Sequence, residues 1–197
     1  MYKILIFIFL FFNFNVHAND NIKLSLDWVP QAEHGGYFQA IAKGYYADQD
    51  IELTIIPGGP SVNTKAMLMS DQVEFNIGGS AGALNYAKQD LPFRAVAAFF
   101  QKTPQVLMSH PNVGIDHPSD FKGKTIFLSN FGRLSFWGFI KNKYNLSDDQ
   151  LESYNFNSQP FIDDTQSIQQ GYLSSEPFAI KKAAGFDPVV HLLADHG

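Results

Sequence analysis

From Lys23 onward the chain alternates between two hydrophobic periods. "KLSLDW" places apolar residues at every second position, as a strand does, whereas "GGYFQAIAKGYYADQD" carries a helical stripe that stops near Gly44. "IELTIIP", "VEFNI" and "FRAVAAFF" read as further strands. "SVNTKAMLMS", with Ser61 placed to cap it, and "SAGALNYAKQ" read as the helices between them. This βαβα rhythm predicts a mostly parallel sheet covered by helices on both faces.

After "QVLMSHP" the pattern changes: "NVGIDHPSDFKG" is rich in turn residues, as where a chain passes from one domain to the next. The rhythm then restarts. "KTIFLS" is a strand, "RLSFWGFIKNKYN" a helix, "ESYNFN" a strand, "DTQSIQQGY" and "SEPFAIKKAAG" helices, and "PVVHLLA" a last strand. The expected organisation is a first α/β lobe over 19–104, an interlobe crossover over 105–118 and a second α/β lobe over 119–197.

The first residues stand outside this rhythm. Lys3 opens a short positive start, Ile4 to Phe12 is an unbroken apolar run, and Val16-His17-Ala18 is a small-x-small cleavage pattern. Residues 1–18 are thus expected to be a secretory signal peptide cut after Ala18, the run being well short of the roughly 20 residues of a membrane span. The chain has no cysteine, so stability in an oxidising compartment rests on core packing, and no lipid-modified cysteine stands at the junction. Lys3 is the one charged residue removed with the signal, so the net charge of −5 becomes −6 and nucleic acid is not an expected partner. A soluble periplasmic protein is the expectation.

Open α/β sheets bind ligands where strand ends run into helix starts. That rule selects the loops Asp27 to Gly36, Pro57 to Ser61, Gly78 to Gly82, Phe100 to Thr103, Ser129 to Arg133, Asn157 to Asp164 and Tyr172 to Glu176. They mix glycine, serine, aromatics and isolated charges, which suits a small polar aromatic molecule.

Gly78-Gly79-Ser80-Ala81-Gly82 also satisfies G-x-S-x-G between a strand and a helix, and His34-Gly35-Gly36 has the form of an oxyanion loop. With Asp163 or Asp164 and His191 or His196, an exported serine hydrolase is the rival reading. Against it, 15 glycines make such a pattern easy to obtain, and Ser80 is equally suited to capping a helix. His34, His110, His117, His191 and His196 lack metal-ligand spacing, so no metal is expected.

"LDWVPQAEHGGYFQAIAKGYYADQDIELTIIPGGPSVN", "VEFNIGG", "LPFRAVAAFFQKTP", "DFKGKTIFLSN" and "QGYLSSEPFAIKKAAG", in this order, make the chain resemble periplasmic substrate-binding proteins of the NMT1/thiamine-pyrimidine (SsuA/THI5-like) type from about residue 22 onward. The resemblance implies a type II-like periplasmic binding fold of two α/β lobes with a cleft between them, and no catalysis or cofactor. It also implies a monomer when full length, and ligand delivery to an ABC permease and its ATPase by stabilising a closed state. Such proteins run to about 300 residues, in keeping with two domains. The second lobe and the return to the first are therefore expected to be incomplete here.

Members with a D-W-x-P-x-x-x-H pattern resemble binders of thiamine pyrimidine precursors, serving thiamine biosynthesis, with flavins as the other implied ligand. Trp28, Tyr37 or Phe131 could stack on such a heteroaromatic, and Asp27 or Glu176 could accept from its amino group. His34 is a second polar candidate. Ser80, Gln101, Asn130 and Arg133 complete the expected ligand-binding set from the strand-end loops. Three have a plainer alternative: Trp28 as packing for a strand end, His34 as a helix cap, and Glu176 as a first-turn acid. A fungal-type thiamine pyrimidine synthase shares the family name. Its Schiff-base lysine and consumed histidine would fall at about Gly78 and Gly82, and the cysteines of its cluster are missing, so that chemistry is rejected.

Overall fold

The computed structural model describes residues 19–197; the expected signal peptide lies outside them. Among the described residues no helix is long and apolar enough to cross a membrane. The chain is α/β with two sheets. Packing divides the described residues differently from the sequence rhythm: residues 19–30 with His34–Ile77 form one compact unit, and Gln31–Glu33 with Gly78–Gly197 form the other.

The first unit is built on three parallel strands, β1 (Asp20–Ser25), β2 (Ile51–Ile56) and β3 (Phe75–Asn76), in the order β2-β1-β3. Helix α1 (Gly35–Ala42) follows β1 and α2 (Thr64–Met69) follows β2, giving the parallel crossovers expected from the sequence. Asn63, not Ser61, caps α2, its side chain accepting from Ala66 N at 3.1 Å. The central strand ends in Leu24, Ser25 and Leu26, all buried.

The second unit carries α3 (Ser80–Lys88) and then five strands: β4 (Gln105–Ser109), β5 (Ile126–Leu128), β6 (Leu151–Ser153), β7 (Ile168–Tyr172) and β8 (Val189–Leu192). Their order is β6-β5-β7-β4-β8. β5 runs parallel to β6 and β7, while β4 is antiparallel to β7 and β8, so this sheet is mixed and not parallel throughout. The stretch expected to be a crossover thus opens with a strand that sits between β7 and β8.

Alternation along β4 sorts the core to the two faces of this sheet. Leu107 joins Ile115, Phe121, Ile126, Ile140 and Ile168 on one face, against α5 (Trp137–Tyr144); Val106 and Met108 meet Phe161 and Ile180 of α6 (Gln159–Asp163) and α7 (Glu176–Ala184) on the other. Each such side chain, fully buried, contributes about 1.5–3 kcal/mol.

Three element expectations are corrected. "FRAVAAFF" forms no strand, and Val96, Phe99 and Phe100 remain exposed. "DTQSIQQGY" is not a helix but contains β7, whose residues 168–171 are buried. The helix expected over 133–145 is two, α4 (Asn130–Ser135) and α5, divided at Phe136 (φ −111°, ψ −15°).

Candidate functional site

In the first unit the site begins where β1 ends. Leu26 N still donates to Ile56 O at 2.9 Å, and the chain then turns outward through Asp27 and Trp28. The next strand end grips this turn: Gly58 N donates to Trp28 O at 3.0 Å. A Cβ on Gly58 would lie 2.2 Å from Leu26 O and 2.7 Å from Trp28 N, so only glycine permits this approach. His34 ends a short 3-10 turn, Ala32–His34, and precedes α1 without a side-chain capping bond. Its imidazole instead meets Asp27, Nε2 to Oδ1, at 3.0 Å. The His34 side chain is only 3% exposed, against 43% for Asp27, so the pair joins a buried ring to a solvent-facing carboxylate. Trp28 and Tyr37 are half-buried nearby in sequence, and burial pushes the Tyr37 phenol above its ordinary value, with Tyr46 and Asp27 adding to the shift.

In the second unit Ser80 is the first residue of α3 and exposed. The N-cap is Gly79, which corrects the capping role considered for Ser80. Gln101 is exposed and donates to Ala98 O at 3.2 Å. Asn130 and Phe131 open α4 and are exposed, and Arg133 is half-buried on the same helix. Its N-cap, Ser129, accepts from Gly132 N at 3.2 Å.

Glu176 opens α7 as a first-turn acid and reaches back to β7, where Oε2 accepts from Tyr172 N at 2.7 Å. The Tyr154 hydroxyl lies 3.5 Å from Oε1. Burial is the main cause that raises the Glu176 carboxyl above the usual range, and it also pushes Tyr154 up to about 12.

The hydrolase constellation is not brought together. Among the described residues His191 Nε2 pairs with Ser109 Oγ at 3.0 Å, and His196 Nδ1 with Tyr144 Oη at 2.8 Å; neither meets Ser80. Asp163 is held by Gln159 at 2.8 Å, and Asp164 by Gln166 N at 3.0 Å. The Ser109–His191 pair is itself no nucleophile and base. Ser109 Oγ donates to Ile115 O at 2.6 Å, so the imidazole must donate to the hydroxyl, which is the reverse of activation. No group of three or more histidine, aspartate or glutamate residues among the described residues could hold a metal ion.

Sequence reasoning missed Gln170, whose carboxamide oxygen accepts from Ser129 N at 2.9 Å and from Ser129 Oγ at 3.0 Å. The available signal was the Gln169-Gln170 pair, two amides in a segment that could have been read as a short strand.

The chain is 25% identical over 181 residues to the riboflavin-binding protein RibY of Chloroflexus aurantiacus, covering 88% of this chain and 51% of that protein. It is 24% identical over 110 residues to a formylaminopyrimidine-binding protein of Halalkalibacterium halodurans, covering 55% and 33% respectively. The chain therefore spans about half, or less, of the length of these curated relatives. Among solved structures, the periplasmic sulfonate-binding protein SsuA of Methylobacillus flagellatus aligns with a TM-score of 0.60 at 13% identity, over 84% of this chain and 54% of that one. The tungstate ABC transporter protein of Geobacter sulfurreducens aligns with a TM-score of 0.53 at 11% identity, over 86% and 78%. These neighbours show the fold to be that of type II-like periplasmic binding proteins. The NMT1/THI5-like family matches residues 31–197, most of the sequence, and the chain belongs to that family.

Proposed function

We propose that this chain is the solute-binding component of an ABC importer, taking a small heteroaromatic such as a thiamine pyrimidine precursor or a flavin. The observation that carries this reading is the His34–Asp27 pair at 3.0 Å, a half-exposed carboxylate anchored by a buried imidazole and adjoining a half-buried indole. An anchored acceptor beside an aromatic plate suits a flat ring bearing N–H groups. The two relatives, a riboflavin-binding protein and a formylaminopyrimidine-binding protein, support the same ligand class.

In this reading Asp27 and Glu176 accept from the ligand, and Trp28, Tyr37 and Phe131 offer ring faces. His34, Ser80, Gln101, Asn130 and Arg133 supply further polar contacts. Residues 1–18 direct export to the periplasm and are removed after Ala18, and the loaded protein hands its ligand to a permease driven by an ATPase. The protein performs no chemistry. The hydrolase reading loses its support because His191 and His196 are engaged with Ser109 and Tyr144.

Mass spectrometry of small molecules released from the purified full chain tests this. A bound flavin or aminopyrimidine is the expected result. An empty protein that hydrolyses esters and is labelled at Ser80 by a fluorophosphonate would overturn it.

A further inference from the structure

Gln170 lies on β7, the middle strand of the five-stranded sheet, one residue beyond the pair Phe127↔Gln169 that joins β7 to β5. It therefore stands at the carboxyl end of β5, where an open α/β sheet receives a ligand. The side chain is oriented without ambiguity. Ser129 N can only donate, so the carboxamide atom it meets at 2.9 Å is the oxygen, and Ser129 Oγ meets the same oxygen at 3.0 Å. Gly132 completes the lock, since a Cβ there would lie 2.4 Å from Gln170 Oε1.

With the oxygen so engaged, the amide nitrogen is the outward half of the group. Gln170 keeps only 6% of its exposure, yet Nε2 has no hydrogen-bond partner among the described residues. It is also not one of the wholly enclosed orphan atoms, which are Ser25 Oγ, Gln105 Oε1 and Gln169 Oε1. Its N–H groups are therefore not wholly enclosed. Gln169, the neighbouring amide, is the contrast: its Nε2 is used internally, donating to Ser158 Oγ at 3.0 Å. A nearly buried donor pair held rigidly and left unmatched by the protein is a recognition element, because a ligand that does not accept from it leaves desolvated N–H groups unmet.

We propose that Gln170 is a specificity-determining residue that donates through Nε2 to a ring nitrogen or carbonyl oxygen of the ligand. The inference rests on the binding-protein reading and deepens it. The ligand then needs acceptors on its ring system as well as the N–H donors that Glu176, in the same unit, calls for. Aminopyrimidines and the flavin ring system carry both; a sulfonate carries acceptors only and would face the Glu176 carboxylate.

The test is calorimetric titration of riboflavin and of formylaminopyrimidine into the full chain and its Gln170→Glu variant. Glutamate keeps an acceptor for Ser129 and loses the donor, so the expected result is at least a tenfold weaker affinity. Wild-type binding matched within twofold by Gln170→Glu would overturn the inference alone. Failure of the wild type to bind either compound would overturn it together with the functional reading. If Gln170→Glu does not fold, the ligand supplies the variant. An analogue of the bound compound with one ring nitrogen replaced by C–H, tried at each position, should bind the wild type at least tenfold more weakly at one of them. For a flavin the carbonyl oxygens are removed in the same way. Equal affinity for every analogue would overturn the inference.

Discussion

His34 Nε2 stands 3.0 Å from Asp27 Oδ1, joining the first residues after β1 to the entrance of α1. The buried ring holds one carboxylate oxygen and leaves the rest of a 43% exposed side chain facing outward. Asp27→Asn keeps an oxygen for His34 but loses the charge. Ligand affinity should fall about tenfold or more, while thermal denaturation shifts by only a few degrees. A large loss of stability with unchanged affinity would make the pair structural.

Gly58 should be intolerant of any side chain. Its added Cβ would strike Leu26 O at 2.2 Å, and backbone cannot yield as a side-chain tip can. Gly58→Ala is expected to destabilise the first unit by about 1–3 kcal/mol through overpacking, read as a lower urea midpoint. In a Trp137→Phe background the emission of Trp28, whose carbonyl accepts from Gly58 N, should also shift to the red.

Much of this fold is legible in the sequence, because "KLSLDW" and "IELTIIP" alternate with period two and the helices between them carry a helical stripe. β7 was not legible, for a physical reason. It lies between β5 and β4, so residues 168–171 are buried whatever their polarity, and glutamines in an apparently polar run gave no alternation to follow. The candidate site divides in the same manner. Asp27, Trp28 and His34 are candidates by residue type beside a strand end, whereas Gln170 becomes one only through its hydrogen bond with Ser129, 41 residues away in sequence.

His191 should make stability depend on pH. Burial, with neighbouring His196 and His117 adding to it, lowers its imidazole to about 4 from an ordinary 6.5. The folded protein thus refuses a proton that the unfolded chain accepts. His191 costs no stability above about pH 6.5, and stability falls as the pH drops from there toward 4, by about 2–3 kcal/mol in all. His191→Gln, which can still donate to Ser109, should flatten this slope in chemical denaturation measured across that window.

On the proposed reading, Glu176 trades stability for recognition. Burial raises its carboxyl, so at neutral pH the ionised group favours the unfolded chain, where it is better solvated. Glu176→Gln retains an oxygen for Tyr172 N and removes the charge. The variant is expected to be more stable at pH 7 and to bind ligand at least tenfold more weakly. Denaturation and titration on the same preparation check both signs.

On the proposed reading, the chain binds a flat heterocycle bearing both donors and acceptors. Calorimetric titration of the full chain with riboflavin, formylaminopyrimidine and an alkanesulfonate tests it most directly. Saturable binding of riboflavin or formylaminopyrimidine, with no heat from the sulfonate, is the predicted result; binding of the sulfonate alone, or of none of the three, would contradict it.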